Sequence, residues 1–289
     1  MQDPDRIIRF VFEKMAIRGQ WLKLSTSWRS VIANHNYSAP VQQQLGQAIV
    51  ASTLLAATIK FKGLLVLQAQ GQGPLTAVIA QSTNDYYIRG LARNSASVGT
   101  GTLTELYGKG RLVITIEPDN NRPYQGIVEL DGENLAQALE NYYAQSEQIK
   151  TRFWLFANGQ QAAGLLLQEL PGEQDSEDDW KRIEMLANTV TEQEILELSY
   201  QKMLYRLFNE ESIRVFEPEP VQYRCRCSIA KIEQTLISLG HETLHELLQE
   251  RDEVTVDCEF CNQQYSFDAV DINKLVVESN VIDGSNTQH

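Results

Sequence analysis

The chain has 289 residues and 32.8 kDa, room for two domains at about 100–200 residues each. With 43% hydrophobic, 8% aromatic and 22% charged residues it is neither collagen-like, mucin-like nor wholly disordered. A formal charge of −13 and a pI near 4.8 argue against nucleic acid and anionic membrane surfaces as main partners.

The charge imbalance is local: residues 1–172 carry 15 basic against 13 acidic side chains, and residues 173–289 carry 10 against 25. The opening MQDPDRIIRF lacks the basic flank and apolar run of a secretion signal. The longest apolar stretch, Ala48 to Ile59, has twelve residues with Ser52, Thr53 and Thr58 inside it, short of the roughly 18–20 needed to cross a bilayer. A cytoplasmic location and no membrane partner are expected.

Along the chain, the first clear element is a predicted helix over 39–59. Ser38 can cap it, Pro40 suits its first turn, and Val41, Leu45, Ala48, Ile49, Leu54 and Leu55 recur near helical spacing. The period then changes to that of strands at 64–70, 75–81, 86–93, 111–117 and 124–130, separated by Gly, Pro and Asn clusters. A helix over 133–146 and strands over 151–157 and 162–170 lead to the Pro171-Gly172 stop. Strand runs with few helices indicate an α+β fold built on a mostly antiparallel sheet, and residues 1–172 are the expected core domain.

Residues 173–220 hold 5 basic and 13 acidic residues, yet their apolar residues recur helically. Trp180, Ile183, Leu186 and Val190 fit one face. Thr191 to Glu194 can form a capping box before Ile195 and Leu198, and Met203, Leu204, Leu207 and Phe208 fit another face. Two or three short amphipathic helices of this kind are marginal alone and need an apolar surface to dock on, while their negative charge opposes compaction. A conditionally folded linker is expected here, with the N-terminal sheet as its platform; a constitutively packed helical subdomain is the plainer alternative.

Residues 221–289 form a cysteine module, with helices expected at 228–238 and 241–250, a strand at 254–256, a helix over 268–276 and a frayed tail from 280. Its four cysteines arrive as two local pairs, Cys225-Arg226-Cys227 and Cys258-Glu259-Phe260-Cys261, thirty residues apart. In a reducing compartment, two such pairs on separate segments can close a tetrahedral Cys₄ shell around Zn²⁺. Two structural disulfides and free buried cysteines are the alternatives, and four cysteines allow three disulfide connectivities. A closed shell leaves no open position for substrate, so its plainest form is an inert zinc ribbon, a constitutive binding module.

Other motifs are weaker. His241-Glu242-Thr243-Leu244-His245 satisfies H-E-x-x-H, the two-histidine zinc motif of metalloproteases, but it lies inside the small cysteine module, where Leu244, Leu247 and Leu248 have core spacing. Gly71-Gln72-Gly73 and Gly108-Lys109-Gly110 lack the partner residues of phosphate loops, so no ATP use is expected. No G-x-S-x-G elbow is present, and no enzyme is expected.

At this level of detail the chain resembles the bacterial 33 kDa heat shock protein family, redox-regulated holdase chaperones. The resemblance spans nearly the whole chain. Beside the cysteine pairs it includes Arg18-Gly19, the His35 to Pro40 stretch HNYSAP, Ile59-Lys60-Phe61, Gln70 to Leu75, Tyr124-Gln125-Gly126, Ser146-Glu147-Gln148 and Ala162-Ala163-Gly164. Asn262 stands where the CxxC knuckle often has Gly, and Asn tolerates left-handed backbone.

The resemblance implies that Cys225, Cys227, Cys258 and Cys261 bind one Zn²⁺ per chain when reduced. Oxidation then forms Cys225–Cys227 and Cys258–Cys261 disulfides, the linker unfolds, and the protein, as a homodimer, holds unfolding clients without ATP. Disulfides between such near neighbours close only tiny loops, and the bridge between the two segments leaves with the metal. Structural zinc contributes an apparent 10–16 kcal/mol in finger peptides, as much as the roughly 5–15 kcal/mol of a whole domain. Metal loss should therefore unfold the module.

Overall fold

A computed structural model describes residues 5–170, 177–240, 243–244, 246 and 253–275. They fall into two compact units, Met1–Arg224 and Cys225–His289.

The first unit is of the α+β class and holds two six-stranded sheets. One is ordered β10-β1-β2-β9-β8, with β1 Arg6–Phe12, β2 Ile17–Leu24, β8 Thr151–Ala157, β9 Ala162–Glu169 and β10 Ile213–Val215; β11, Glu219–Pro220, also pairs with β1. The other is ordered β12-β5-β4-β3-β6-β7, with β3 Gly63–Gly71, β4 Leu75–Thr83, β5 Tyr87–Asn94, β6 Gly110–Pro118, β7 Tyr124–Glu129 and β12 Gln222–Tyr223. All of these pairings are antiparallel except β12 on β5.

Between the sheets runs α2, Ala39–Ala56, touching strands of both. Fourteen of its 18 residues are buried, because it is apolar on nearly every side rather than along one stripe. Glycines set how closely it approaches its neighbours: a Cβ on Gly46 would lie 2.4 Å from the Cβ of Ala157, and one on Gly164 would lie 2.5 Å from a methyl of Val50. The main core gathers here, with Leu45, Ile49, Leu54, Leu65 and Leu166 among its fully buried members.

The first sheet is apolar on its other face too. Ile7 and Leu22 point into the main core, whereas Ile8, Phe10, Phe12, Trp21, Leu165 and Leu167 line a second core. Three helices cover that second face: α5 Glu177–Ala187, α6 Glu192–Glu197 and α7 Tyr200–Phe208. The Thr191–Glu194 capping box is formed, with both reciprocal bonds present. Arg206 ties α7 back to Glu194 and to the Thr189 carbonyl.

Several elements depart from the sequence reading. The helix expected over 39–59 ends at Ala56, and Ser38 sits at its N-cap without a side-chain bond to the backbone. The helix expected over 133–146 is α4, Leu135–Tyr142, followed by a π-helical turn at Tyr143–Glu147. No element was expected for β1, β2 or α1, Thr26–Ile32. Burial on both faces removes the alternation that announces a strand. Helix α1 is capped from twenty residues upstream, by Asp5 accepting from the backbone of Ser25 (2.6 Å) and Thr26 (3.3 Å). A short α3, Leu103–Tyr107, also lies outside the expectation.

In the second unit, α8, Ile229–Ser238, precedes a hairpin of β13, Glu253–Asp257, and β14, Gln264–Asp268, followed by helical residues 269–275. Among the described residues its core cluster is small: Leu236, Leu244, Val254, Phe267, Ile272 and Leu275. The helix expected over 241–250 and the tail from 280 fall mostly or wholly outside the described residues, as do His241, Glu242 and His245. Among the described residues no helix is long and apolar enough to cross a membrane.

Candidate metal centre

Cys225 and Cys227 lie on the segment that leads into α8, where Ser228 caps the helix by accepting from Lys231 N. Their i, i+2 spacing lets both side chains leave an extended segment on one side. Cys258 and Cys261 sit in the turn between β13 and β14. There the N–H groups of Cys261 and Asn262 both donate to the Cys258 carbonyl, at 3.2 and 2.7 Å, and Cys258 N–H donates to Gln263 O at 3.0 Å. Asn262 has φ +53°, the left-handed backbone this turn requires and Asn tolerates.

The two segments bring their sulfurs together. All four Sγ atoms lie within 4.8 Å of one another, with Cys225–Cys258 at 3.7 Å and Cys227–Cys261 at 3.5 Å. A regular tetrahedron with metal–sulfur bonds of about 2.3 Å has edges of about 3.8 Å, so this donor set fits a thiolate-loving metal ion. Among the described residues this is the one grouping of three or more cysteine, histidine or carboxylate side chains placed to hold a metal.

The four thiols are not alike. Burial resists ionisation of Cys225, but the Cys227 backbone N–H and the neighbouring thiols outweigh it and bring its pKa down to about 7. At Cys258 burial prevails over the N–H groups of Phe260 and Cys261 and pushes the thiol up. Cys261 is pushed up by burial and by the bonds it shares with the other sulfurs. Tyr265 Oη donates to Cys227 Sγ at 3.2 Å, a bond that raises the phenol's own pKa to about 12. Tyr265 had no motif to announce it, although it lies only four residues beyond Cys261.

The helical cover lies wholly in the other unit. Trp180, Ile183, Ile195, Leu204, Leu207 and Phe208 are buried in the second core, and Leu186 and Leu198 pack against it half-buried. Ala187 and Leu196 are buried there as well and were missed: a small residue and one off the main stripe carry little periodic signal. Phe208 meets Phe12 edge to face at 5.2 Å and Phe10 at 6.3 Å. Polar ties are few. Arg152 of β8 bridges Glu184 of α5 (2.5 Å) and Glu140 of α4 (3.2 Å), and Trp154 Nε1 donates to Asn188 (3.1 Å). Trp21, buried in this face, has no acceptor for its indole N–H among the described residues.

Comparison with known proteins agrees with this arrangement. Residues 5–268 match the family model described as Hsp33 protein. A 33 kDa chaperonin of Nitrosococcus oceani is 53% identical over 289 residues, covering all of both chains. One of Pseudomonas aeruginosa (strain UCBPP-PA14) is 42% identical over 297 residues, again covering both chains in full. The crystal structure of a 33 kDa chaperonin from Thermotoga maritima shares the fold, with a TM-score of 0.83 over 96% of this chain and 99% of that one at 22% identity. The protein therefore belongs to the Hsp33 family, non-enzymatic, redox-regulated holdase chaperones that bind unfolding proteins, and it carries a four-cysteine cluster able to coordinate a metal ion.

Proposed function

We propose that Cys225, Cys227, Cys258 and Cys261 hold one Zn²⁺ in the reduced cytoplasmic protein, and that oxidation pairs Cys225 with Cys227 and Cys258 with Cys261. Each disulfide takes two electrons from two thiolates, and hydrogen peroxide accepting them together with two protons from solvent is reduced to two waters. With no thiolate left the metal departs. The residues 221–289 act as the switch, 173–220 as the cover, and 1–172 as the platform for clients. The activated form is a homodimer and uses no ATP.

The observation that carries this reading is the paired arrangement of sulfurs. Four ligands from two segments meet at one point, and the hairpin and α8 have only a small apolar core between them otherwise. Removing the metal removes most of what fixes the segments together. The route to the cover is covalent: Arg224 N–H is bonded to Ile88 O on β5, and Cys225 is the next residue. Between the cover and Cys225 lie only β10, β11 and β12, strands of three, two and two residues.

The test treats metal-loaded protein with hypochlorite, or with peroxide at mild heat. Zinc release, helix content, tryptophan emission and suppression of client aggregation are followed together. Trp21 lies under the cover and Trp180 on its inner face, both at no more than 5% exposure, so emission should shift to the red as zinc leaves, in step with client protection. Retained zinc with unchanged activity would reject the switch. The sulfur pairs 225–258 and 227–261, at 3.7 and 3.5 Å, would allow a second connectivity that keeps the segments joined; peptide mapping of the oxidised protein separates the two, local pairs being expected.

Tyr265→Phe leaves the ring in place and removes the donor to Cys227. A thiolate without that bond is more nucleophilic, so zinc release under peroxide should quicken by about tenfold, the low end of what losing an outer partner of a metal ligand costs. A chelating dye reads the rate; equal rates in the two proteins would show that the hydroxyl does not restrain Cys227.

A further inference from the structure

Where α2 ends and β3 begins, the N-terminal unit contains two clefts, of about 460 and 780 Å³, that share Arg18, Thr58, Ile59 and Lys60. Apart from Glu219, which lines the larger, their residues are remote in sequence from the cysteines and from the three cover helices. The smaller presents the half-buried aliphatic side chains of Ile59, Ile116 and Ile149. Its volume falls within the about 300–1,000 Å³ usual for small-ligand sites.

Arg18 of β2 is the feature these walls do not explain. Its Nε (3.1 Å) and one Nη donate to a neutral acceptor, Gln168 Oε1, and Gln168 is held in turn by Nε2 donating to Thr151 Oγ1 at 2.9 Å. A guanidinium has five N–H donors, so three are left, and no carboxylate among the described residues pairs with it. The acids lining the two clefts are already engaged. Glu147 accepts from the hydroxyls of Tyr142 (2.7 Å) and Tyr124 (3.2 Å), and Glu219 pairs with Arg9 (2.6 Å). Lys60 and Lys62 stand exposed beside Arg18 and add positive charge.

We propose that these clefts bind an amphiphilic monoanion, an apolar body ending in a carboxylate, with the carboxylate on Arg18 and the body against the aliphatic walls. A guanidinium's fork geometry matches a carboxylate's two oxygens. A small inorganic anion would leave the aliphatic walls unused. The carboxylate chemistry is common to a free fatty acid and to the C-terminus of an apolar peptide.

The test uses the reduced, metal-loaded full-length protein and isothermal titration with decanoate, decanol, inorganic phosphate, and an N-acetylated apolar tetrapeptide as free acid or amide. Decanoate, the free-acid peptide or both should bind; decanol, phosphate and the amide should not. Arg18→Met, which keeps the apolar stem, should weaken binding at least tenfold at unchanged helix content. Binding of decanoate alone assigns the site to acyl carboxylates, and binding of the free-acid peptide assigns it to chain ends. Should Arg18→Met not fold, amide and methyl shifts of the wild-type protein replace it, with decanoate, or the free-acid peptide if that alone binds, moving signals of Ile59, Ile114 and Ile116. Absence of carboxylate binding at millimolar concentration, equal binding of decanol, affinity indifferent to Arg18, or shifts confined to other parts of the chain overturns the proposal.

Discussion

Phe208→Ala should uncover the first sheet in fully reduced, metal-loaded protein. Phe208 is 2% exposed, at the end of α7, and its ring closes a three-membered aromatic cluster with Phe10 and Phe12. Truncating a buried Phe costs about 3–5 kcal/mol, and the segment that bears the loss has little in reserve. Its three helices have 11, 6 and 9 residues, too short to persist undocked. The ion pair from Arg152 to Glu184 is partly exposed and contributes at most about 1 kcal/mol. Limited proteolysis should then cut within 177–208, and a fluorescent apolar dye should bind, while zinc content stays at the wild-type level. Tyr205→Ala is the control: it removes a ring of similar size from the same helix, but one that is 74% exposed, so protection should be unchanged. Equal resistance of Phe208→Ala and wild type would mean that the cover is held elsewhere.

Cys258→Ser should unfold the second unit without disturbing the first. Three sulfurs cannot close the shell, and the apparent 10–16 kcal/mol that structural zinc supplies in small domains is lost in large part. Among the described residues its core has six buried side chains, too few to compensate. Zinc stoichiometry should fall well below one per chain, and the amide signals of β13 and β14 should collapse to random-coil positions. Signals of β3, β4 and β6, which belong to the other unit, should stay dispersed. A variant that keeps both the hairpin signals and a full equivalent of zinc would show that three cysteines suffice.

Strands β4 and β7 were legible because they alternate over most of their length, and β3 and β6 as short apolar runs bounded by Gly, Pro and Asn. The cover helices carry stripes such as Trp180 and Ile183 or Leu204, Leu207 and Phe208. The cysteine cluster was legible for another reason: a thiolate metal site needs particular residues at particular spacings, and Cys225, Cys227, Cys258 and Cys261 can be found by type alone. Strands β1 and β2 were not, because Ile7 faces one core and Ile8 the other. Nor was α1, whose cap comes from Asp5 across a β-hairpin. The apolar face beneath the cover was hidden with them. Its residues, Phe10, Phe12, Trp21, Leu165 and Leu167, come from three strands and converge only once the sheet is paired.

The cover is anchored to the same sheet at both ends. It leaves from β9 and returns to β1 through β10 and β11, about forty residues later. While those pairings hold, a detached cover stays leashed, at an effective concentration on the order of millimolar over its own platform. Resealing is then unimolecular: its rate should not depend on dilution, and on the proposed switch a client held on that face would compete with a tethered rival. Handing a client onward thus needs no separate ejecting step, only restoration of whatever lets the leash draw tight.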